Sequence, residues 1–196
     1  MTGADCIKEA CLGDVSHPSP ILPLALVVMG VSGSGKSTLG ALMAQRLNCS
    51  FLEGDSYHSP EAVAKMAAGQ ALSDDDRWPW LDRLGAALGA AVQRDGASVT
   101  ACSALRRVYR ERLARAAGVP IRFVLLDPSS AELKRRVDAR RDHFMPPSLL
   151  DSQLATLERP GTDEPALVLN GGEAPEILCG EAASWLAHPL PQAVGA

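Results

Sequence analysis

The sequence predicts a single α/β domain built on a parallel sheet with helices on both faces. Three observations lead there. Short apolar runs alternate with helical patterns along most of the chain. Two of those runs, "LALVVM" and "IRFVLL", are nearly continuous, as strands covered on both faces require. A length of 196 residues, 46% of them apolar, supplies one ordinary domain with its own core.

Taken in order, residues 1–22 end in "SHPSPILP", whose prolines favour extended or irregular backbone, and are expected to form a disordered extension. That stretch carries Asp5, Glu9 and Asp14 and lacks both a signal-like apolar block and an Arg-rich amphipathic pattern, so no targeting peptide is expected. The folded domain is expected over 23–187. Strands are expected at Leu24–Met29, Ser50–Glu53, Ser98–Cys102, Ile121–Leu126 and Ala166–Leu169. Helical patterns fit Lys36–Leu47, Pro60–Ala68, Leu81–Arg94, Ala104–Ala117, Ser130–Arg141, Pro147–Glu158 and Ala174–Leu186. Ser130 is expected to cap "AELKRRVDARR", and Gly118 to stop the helix before it. Residues 188–196, "HPLPQAVGA", read as a frayed tail, and no internal repeat or low-complexity tract interrupts the chain.

Composition removes several function classes. A formal charge of −4 supplies no global basic field for nucleic acid or an acidic membrane. Five cysteines, Cys6, Cys11, Cys49, Cys102 and Cys179, are an odd number without metal-like spacing and read as reduced thiols of a cytoplasmic protein. No run of about 18 apolar residues is present, so no membrane span is expected.

The stretch Gly30–Ser37 matches G-x-x-x-x-G-K-[ST] between an expected strand and an expected helix. Gly30, Gly33 and Gly35 let the backbone approach phosphate oxygens. The amides of Gly30, Val31, Ser32, Gly33, Ser34, Gly35, Lys36, Ser37 and Thr38 then converge at a helix N-terminus. Lys36 can reach the outer phosphates of ATP, and Ser37 can ligate magnesium. The alternative is a Gly/Ser-rich turn that only resembles the motif. Such a unit belongs to the three-layer P-loop NTPase sandwich, here expected with five parallel strands. A GTPase would need an N-K-x-D stretch, which is missing, and large motors or AAA-type machines need more chain. The third strand ends "VTACS" without the usual Walker-B aspartate, which leaves the small kinases.

On the acceptor side, Gly54-Asp55 follows the second strand and places a carboxylate where open α/β sheets bind ligands. Asp55 can accept a hydrogen bond from an acceptor hydroxyl and take its proton, or it can cap the next turn. His58 can bind substrate or orient a neighbour. In "SDDDRWPW", read as a loop, Arg77 offers a fork for a carboxylate or phosphate, shielded by two indoles. The bland alternative is a solvated acidic loop or an N-cap cluster beside core tryptophans.

"MGVSGSGKST", "GDSYHSPEAVAKMAAGQALSDDDRWPWL", "ACSALRRVYRERL" and "ARRDHFMPPSLLDSQLATLE" occur in that order. Together they resemble the gluconokinase family of P-loop carbohydrate kinases, over roughly Leu24 to Trp185. The resemblance implies an adenylate- or shikimate-kinase-like fold with a mobile lid, ATP and magnesium, and γ-phosphate transfer to the 6-hydroxyl of D-gluconate. It also implies a homodimer, since such families are commonly dimeric. Asp55 and His58 fall on the family's acid and histidine, and Lys65, Asp74, Asp75, Asp76 and Arg77 match its pattern. Ser103, Ala104 and Leu105 match its "CSAL" element, and Tyr109 and Arg110 match as well. Arg106 and Arg107 stand where lysines are frequent and are expected, with Arg77, Ser103 and His143, on the acceptor. Glu53 and Asp142 depart from the family's usual aspartate and glycine.

"ELKRRVDARRDHFMPP" places Arg136 and Arg140 on one helix face, four residues apart. Guanidinium groups there can stabilise the charge that spreads over a phosphoryl group in transfer. A lid over about 136–150 is expected, against the alternatives of a solvated face or an RNA-binding cluster. The latter lacks an aromatic stacking platform. Asn170–Gly172 are candidates for the adenine by position. Two other readings stand beside this one: a P-loop kinase of another small acceptor, such as shikimate or a nucleoside monophosphate, and a binding protein without turnover.

Overall fold

The computed structural model describes residues 23–138 and 148–188. Five strands form one parallel sheet: β1 (Leu24–Met29), β2 (Ser50–Glu53), β3 (Ala97–Ala101), β4 (Ile121–Leu126) and β5 (Ala166–Leu169). Their order is β2-β3-β1-β4-β5. Among the described residues seven α-helices accompany them: α1 (Lys36–Arg46), α2 (Pro60–Ala67), α3 (Asp74–Asp95), α4 (Arg107–Ala117), α5 (Ser130–Asp138), α6 (Ser148–Thr156) and α7 (Pro175–Leu186).

Handedness decides which face each helix takes. The crossover from β1 to β2 runs one way along the sheet, and the later crossovers run the other way. Right-handed connections therefore place α1 on one face and α3 and α4 on the opposite face. The side chains of β1 alternate accordingly. Ala25, Val27 and Met29 pack with Leu81, Leu84 and Leu88 of α3 and Leu113 of α4. Leu24, Leu26 and Val28 pack with Leu39 and Met43 of α1 and Leu178 and Ala182 of α7. All six residues of β1 are buried, as are all six of β4, which explains their continuous apolar runs. Because the chain leaves β1 and β3 toward opposite faces, a crevice opens at the carboxyl ends of the strands.

Helix boundaries show where local chemistry overrode the sequence pattern. α3 begins at Asp74, not Leu81, so "DDDRWPW" is helix and not loop. Ser73 caps it: its side chain accepts from the Asp76 amide at 3.2 Å, while Asp76 accepts from the Ser73 amide at 2.9 Å. Pro79 lies within the second turn and costs only one early backbone bond. α4 starts at Arg107 rather than Ala104, because Ala104 takes a φ of 43° that no right-handed helix accommodates. Ser129, not Ser130, caps α5, accepting from the Glu132 amide at 3.3 Å. Gly118 does end α4, in the left-handed region at φ 64°. Cys49, Cys102 and Cys179 are free thiols, and burial pushes the Cys102 thiol up to about 12. Among the described residues no helix is long and apolar enough to cross a membrane.

The α3–α4 contact is as close as backbones allow. A Cβ on Gly89 would sit 2.1 Å from the Ala117 carbonyl oxygen, and one on Gly85 would sit 2.6 Å from Ala116 Cβ. Gly89→Ala should therefore lower stability by about 1–3 kcal/mol despite alanine's better helix propensity. A urea midpoint that falls at constant slope would bear this out. An increased midpoint would mean that the two helices separate without cost.

Candidate active site

The cleft at the carboxyl edge of the sheet starts with the loop that follows β1. Gly30 adopts φ 139°, and a Cβ there would meet the Leu126 carbonyl oxygen at 2.7 Å and Ser34 Oγ at 2.9 Å. Only glycine fits that position. Gly35, at φ 100°, opens α1 without any side-chain cap, so the helix presents backbone amides and the positive end of its dipole. Lys36 Nζ donates to the Val31 carbonyl at 3.0 Å, spanning the loop it is expected to serve. Ser34 Oγ is buried under the loop and has no hydrogen-bond partner among the described residues. Ser32, Gly33, Gly35, Lys36, Ser37 and Thr38 all line the cleft.

The opposite wall comes from the end of β2 and from α3. Gly54 is buried, and a Cβ on it would approach the Ala101 carbonyl oxygen to 2.2 Å. The chain therefore turns sharply against β3 and projects Asp55 into the cleft, with its side chain 51% exposed. Trp80 fixes this turn by donating from Nε1 to the Gly54 carbonyl at 2.7 Å. Its indole face stacks on His58, with centroids 4.2 Å apart. His58 Nε2 lies 4.0 Å from Asp55 Oδ1, while Nδ1 is buried without a partner among the described residues. Asp55 does not cap the following turn, which has no side-chain cap bond.

Arg77, one turn into α3, lines the same wall. Its Nη1 donates to the Tyr109 hydroxyl at 3.2 Å and lies 3.6 Å from Asp74 Oδ1. Tyr109 donates to Asp74 in a very short bond. Asp74 also pairs with Arg106 at 2.8 Å, and Asp76 with Lys65 at 2.6 Å. The Lys65 ammonium and the Ser73 groups hold the Asp76 carboxyl down to about 2. Two of the three aspartates are thus internal ties, while Asp75 is exposed.

The structure brings together Lys36, Ser37, Asp55, His58, Arg77 and Ser103 in one cleft. Arg136 joins them at the loop: Nη1 donates to the Ser34 carbonyl at 3.2 Å, and Nε pairs with Glu132 at 2.6 Å. Arg106 and Arg107 stand apart from the cleft lining. Arg106 joins Asp74 to Glu158, and Arg107 pairs with Glu111 and Asp163. Arg140, Arg141, Asp142 and His143 lie outside the described residues. Asn170 is exposed and folds back on its own turn, accepting from the Gly172 amide at 3.2 Å.

Sequence reasoning missed the contacts that three residues make. Gln153 of α6 lines the cleft and accepts from the Ser32 amide at 2.6 Å. Trp80, for which the sequence suggests core or shield, is the pin of the Gly54 turn. Arg110, only 2% exposed, shapes the loop after β3 by donating to the carbonyls of Ala104 at 3.2 Å and Leu105 at 3.4 Å, with Glu164 as its counterion. No periodicity reports such a contact; a buried arginine on an amphipathic helix is the one available signal.

Burial chiefly, with help from Arg83 and Arg77, lowers the His58 pKa below 6.5, and Asp55 opposes the shift. The folded chain thus binds this proton less readily than the unfolded chain. The stability tied to neutral His58 is complete above pH 6.5 and is lost as pH falls from there toward the lowered folded value. His58→Phe, which keeps the stacked ring, should show a smaller drop in melting temperature between pH 7 and 5 than the parent chain. Equal drops would mean that His58 titrates normally.

A family model described as an AAA domain matches residues 26–160. The chain is 49% identical over 159 residues to the gluconokinase of Gluconobacter oxydans (strain 621H), spanning 81% of this chain and 89% of that one. A gluconokinase structure from Sinorhizobium meliloti 1021 superposes with a TM-score of 0.75 at 42% identity, over 84% of this chain and 92% of that one. An unliganded sugar kinase from Janibacter sp. HTCC2649 gives 0.79 at 43% identity, over 83% and 94%. With the phosphate loop, the Gly54-Asp55 turn and the helical "DDDR" element all seated around one cleft, the chain belongs to the gluconokinase family.

Proposed function

We propose that this chain transfers the γ-phosphoryl group of ATP to the 6-hydroxyl of D-gluconate. One observation carries the reading: the anion cradle of α1 and the wall holding Asp55 and Arg77 face each other across a single cleft. The loop amides and Lys36 take the triphosphate oxygens. Arg77 takes the sugar acid's carboxylate, for which a guanidinium fork is suited. Asp55 accepts the hydrogen bond of the terminal alcohol and receives its proton as the alcohol oxygen bonds to the γ-phosphorus. The bond from that phosphorus to the β,γ-bridging oxygen breaks, and its electron pair leaves on ADP. Arg136, next to the Ser34 carbonyl, stabilises charge on the moving group.

The oxygen donors here fit magnesium. Ser37 lies in the first turn of α1, Glu53 ends β2 and Asp55 follows in the next turn, all on the same cleft. No group of three His, Cys, Asp or Glu suited to a metal is present among the described residues. The ion would therefore be held by Ser37, phosphates and water, as this metal commonly is. When bound, it supplies charge neutralisation along the phosphates.

ADP release should be fastest with gluconate in a screen that includes shikimate and nucleoside monophosphates; no preference for gluconate would end the assignment. Asp55→Asn should reduce kcat by about 10²-fold or more if the carboxylate moves the proton. An unchanged kcat would leave Asp55 a structural part. Arg136→Ala should lower kcat more than it raises the gluconate KM; a pure KM effect would make Arg136 a uniform binder.

A further inference from the structure

Helix α6 touches both ligand-binding loops. Leu150 and Leu154 of the helix, with Leu157 just past its end, pack with Leu133 of α5 against Val31 of the phosphate loop and Leu105 of the loop after β3. Beside these leucines, Gln153 faces the cleft and its Oε1 accepts from the Ser32 amide at 2.6 Å, a bond between residues 121 positions apart. Just past the helix, the Glu158 amide donates to the Leu105 carbonyl at 2.8 Å. The Glu158 carboxylate accepts from Arg106 Nε at 3.3 Å and from the Arg107 amide at 2.8 Å. One short helix is thus tied to the donor loop in its middle and to the acceptor loop at its end.

We propose that Gln153 is a positioning residue that couples the two substrates, resting on the reading of this cleft as the ATP and gluconate site. The phosphate loop's amides serve anions, yet the Ser32 amide is held by a neutral side chain from another element. Ordering of the loop by a triphosphate therefore reaches α6 through that bond. The shift passes through Glu158 to the segment Leu105–Arg107, which continues the wall lined by Ser103 and Tyr109. The coupling is a free energy shared by two sites, so it must act equally in both directions.

The probes are D-gluconate and a non-hydrolysable ATP analogue with magnesium, titrated calorimetrically singly and together. In the parent chain the analogue should tighten gluconate binding by about fivefold or more, and gluconate should tighten the analogue equally. Gln153→Met keeps the side chain's length but removes its strong acceptor, and should bring that factor below about twofold. The variant's circular dichroism and urea midpoint should stay close to the parent chain's, which loss of the fold would not allow. Glu158→Gln, at the other end of the same path, should weaken the coupling as well and serves if the methionine variant does not fold. Coupling that survives in both variants overturns the proposal, as does a parent chain with no coupling. A parent chain that binds no gluconate overturns the functional reading with it, whereas surviving coupling leaves that reading intact.

Discussion

A helix that starts without a cap needs something else to satisfy its first amides, and much of this molecule is arranged so that α1 can start that way. Gly35 enters the helix in the left-handed region and brings no side-chain acceptor. The strand before it occupies the centre of the sheet with every residue buried, so the loop's position is fixed by the best-packed element. The loop then bends so tightly at Gly30 that a methyl group would strike the backbone of β4. The reward for this constrained path is a concave set of N–H groups facing the crevice where β1 and β3 diverge. An anion is the natural partner for such a surface, and a neutral ligand would leave its dipole unanswered.

Around this anion site, cations are matched one by one. Arg110 is buried and forks onto Glu164 at 2.5 and 2.8 Å, as an interior charge must. Arg112 forks onto Asp82, Arg135 onto Glu132 and Arg159 onto Asp127. These pairs cancel charge locally, so the 19 basic side chains give no diffuse positive field. Arg77 differs. It meets a phenol and the near oxygen of a carboxylate already engaged by Tyr109 and Arg106, and no acid forks onto it among the described residues. A planar donor held that way in a cleft matches the geometry of an incoming carboxylate or phosphate.

The layers and strands were legible in the sequence because burial on two faces writes itself as unbroken apolar runs. Four of the five strands match to the residue, and β3 differs by one position at each end. The phosphate loop was equally legible, since its motif encodes backbone shape directly. The start of α3 was not, although the signal was present in Ser73 and Asp76 as a capping box. Adjacent acids, a proline and two tryptophans all suggest a loop when taken singly; the pairing of Ser73 with Asp76 three residues later decides otherwise. For Arg106 and Arg107 the paired acids were not legible, for a different reason. Their positive charge was readable, but the partners that turn them away from the cleft lie 32 to 56 residues distant, at Asp74, Glu158 and Asp163. Gln153 was invisible because a neutral amide on a helix carries no pattern.

Trp80 sets both the geometry and the electrostatics of the acceptor wall. Its Nε1 secures the Gly54 carbonyl and so aims the turn bearing Asp55. Its face covers His58, leaving that side chain 4% exposed and holding its pKa below the ordinary value. The consequence concerns selectivity within the cleft. A charged imidazole 4.0 Å from Asp55 would attract phosphate oxygens across from the glycine loop and compete with Lys36 for them. A neutral one can only exchange hydrogen bonds, which suits hydroxyl groups. Burial beneath the indole thereby favours the neutral imidazole beside Asp55, across the cleft from the amides and Lys36 of the glycine loop.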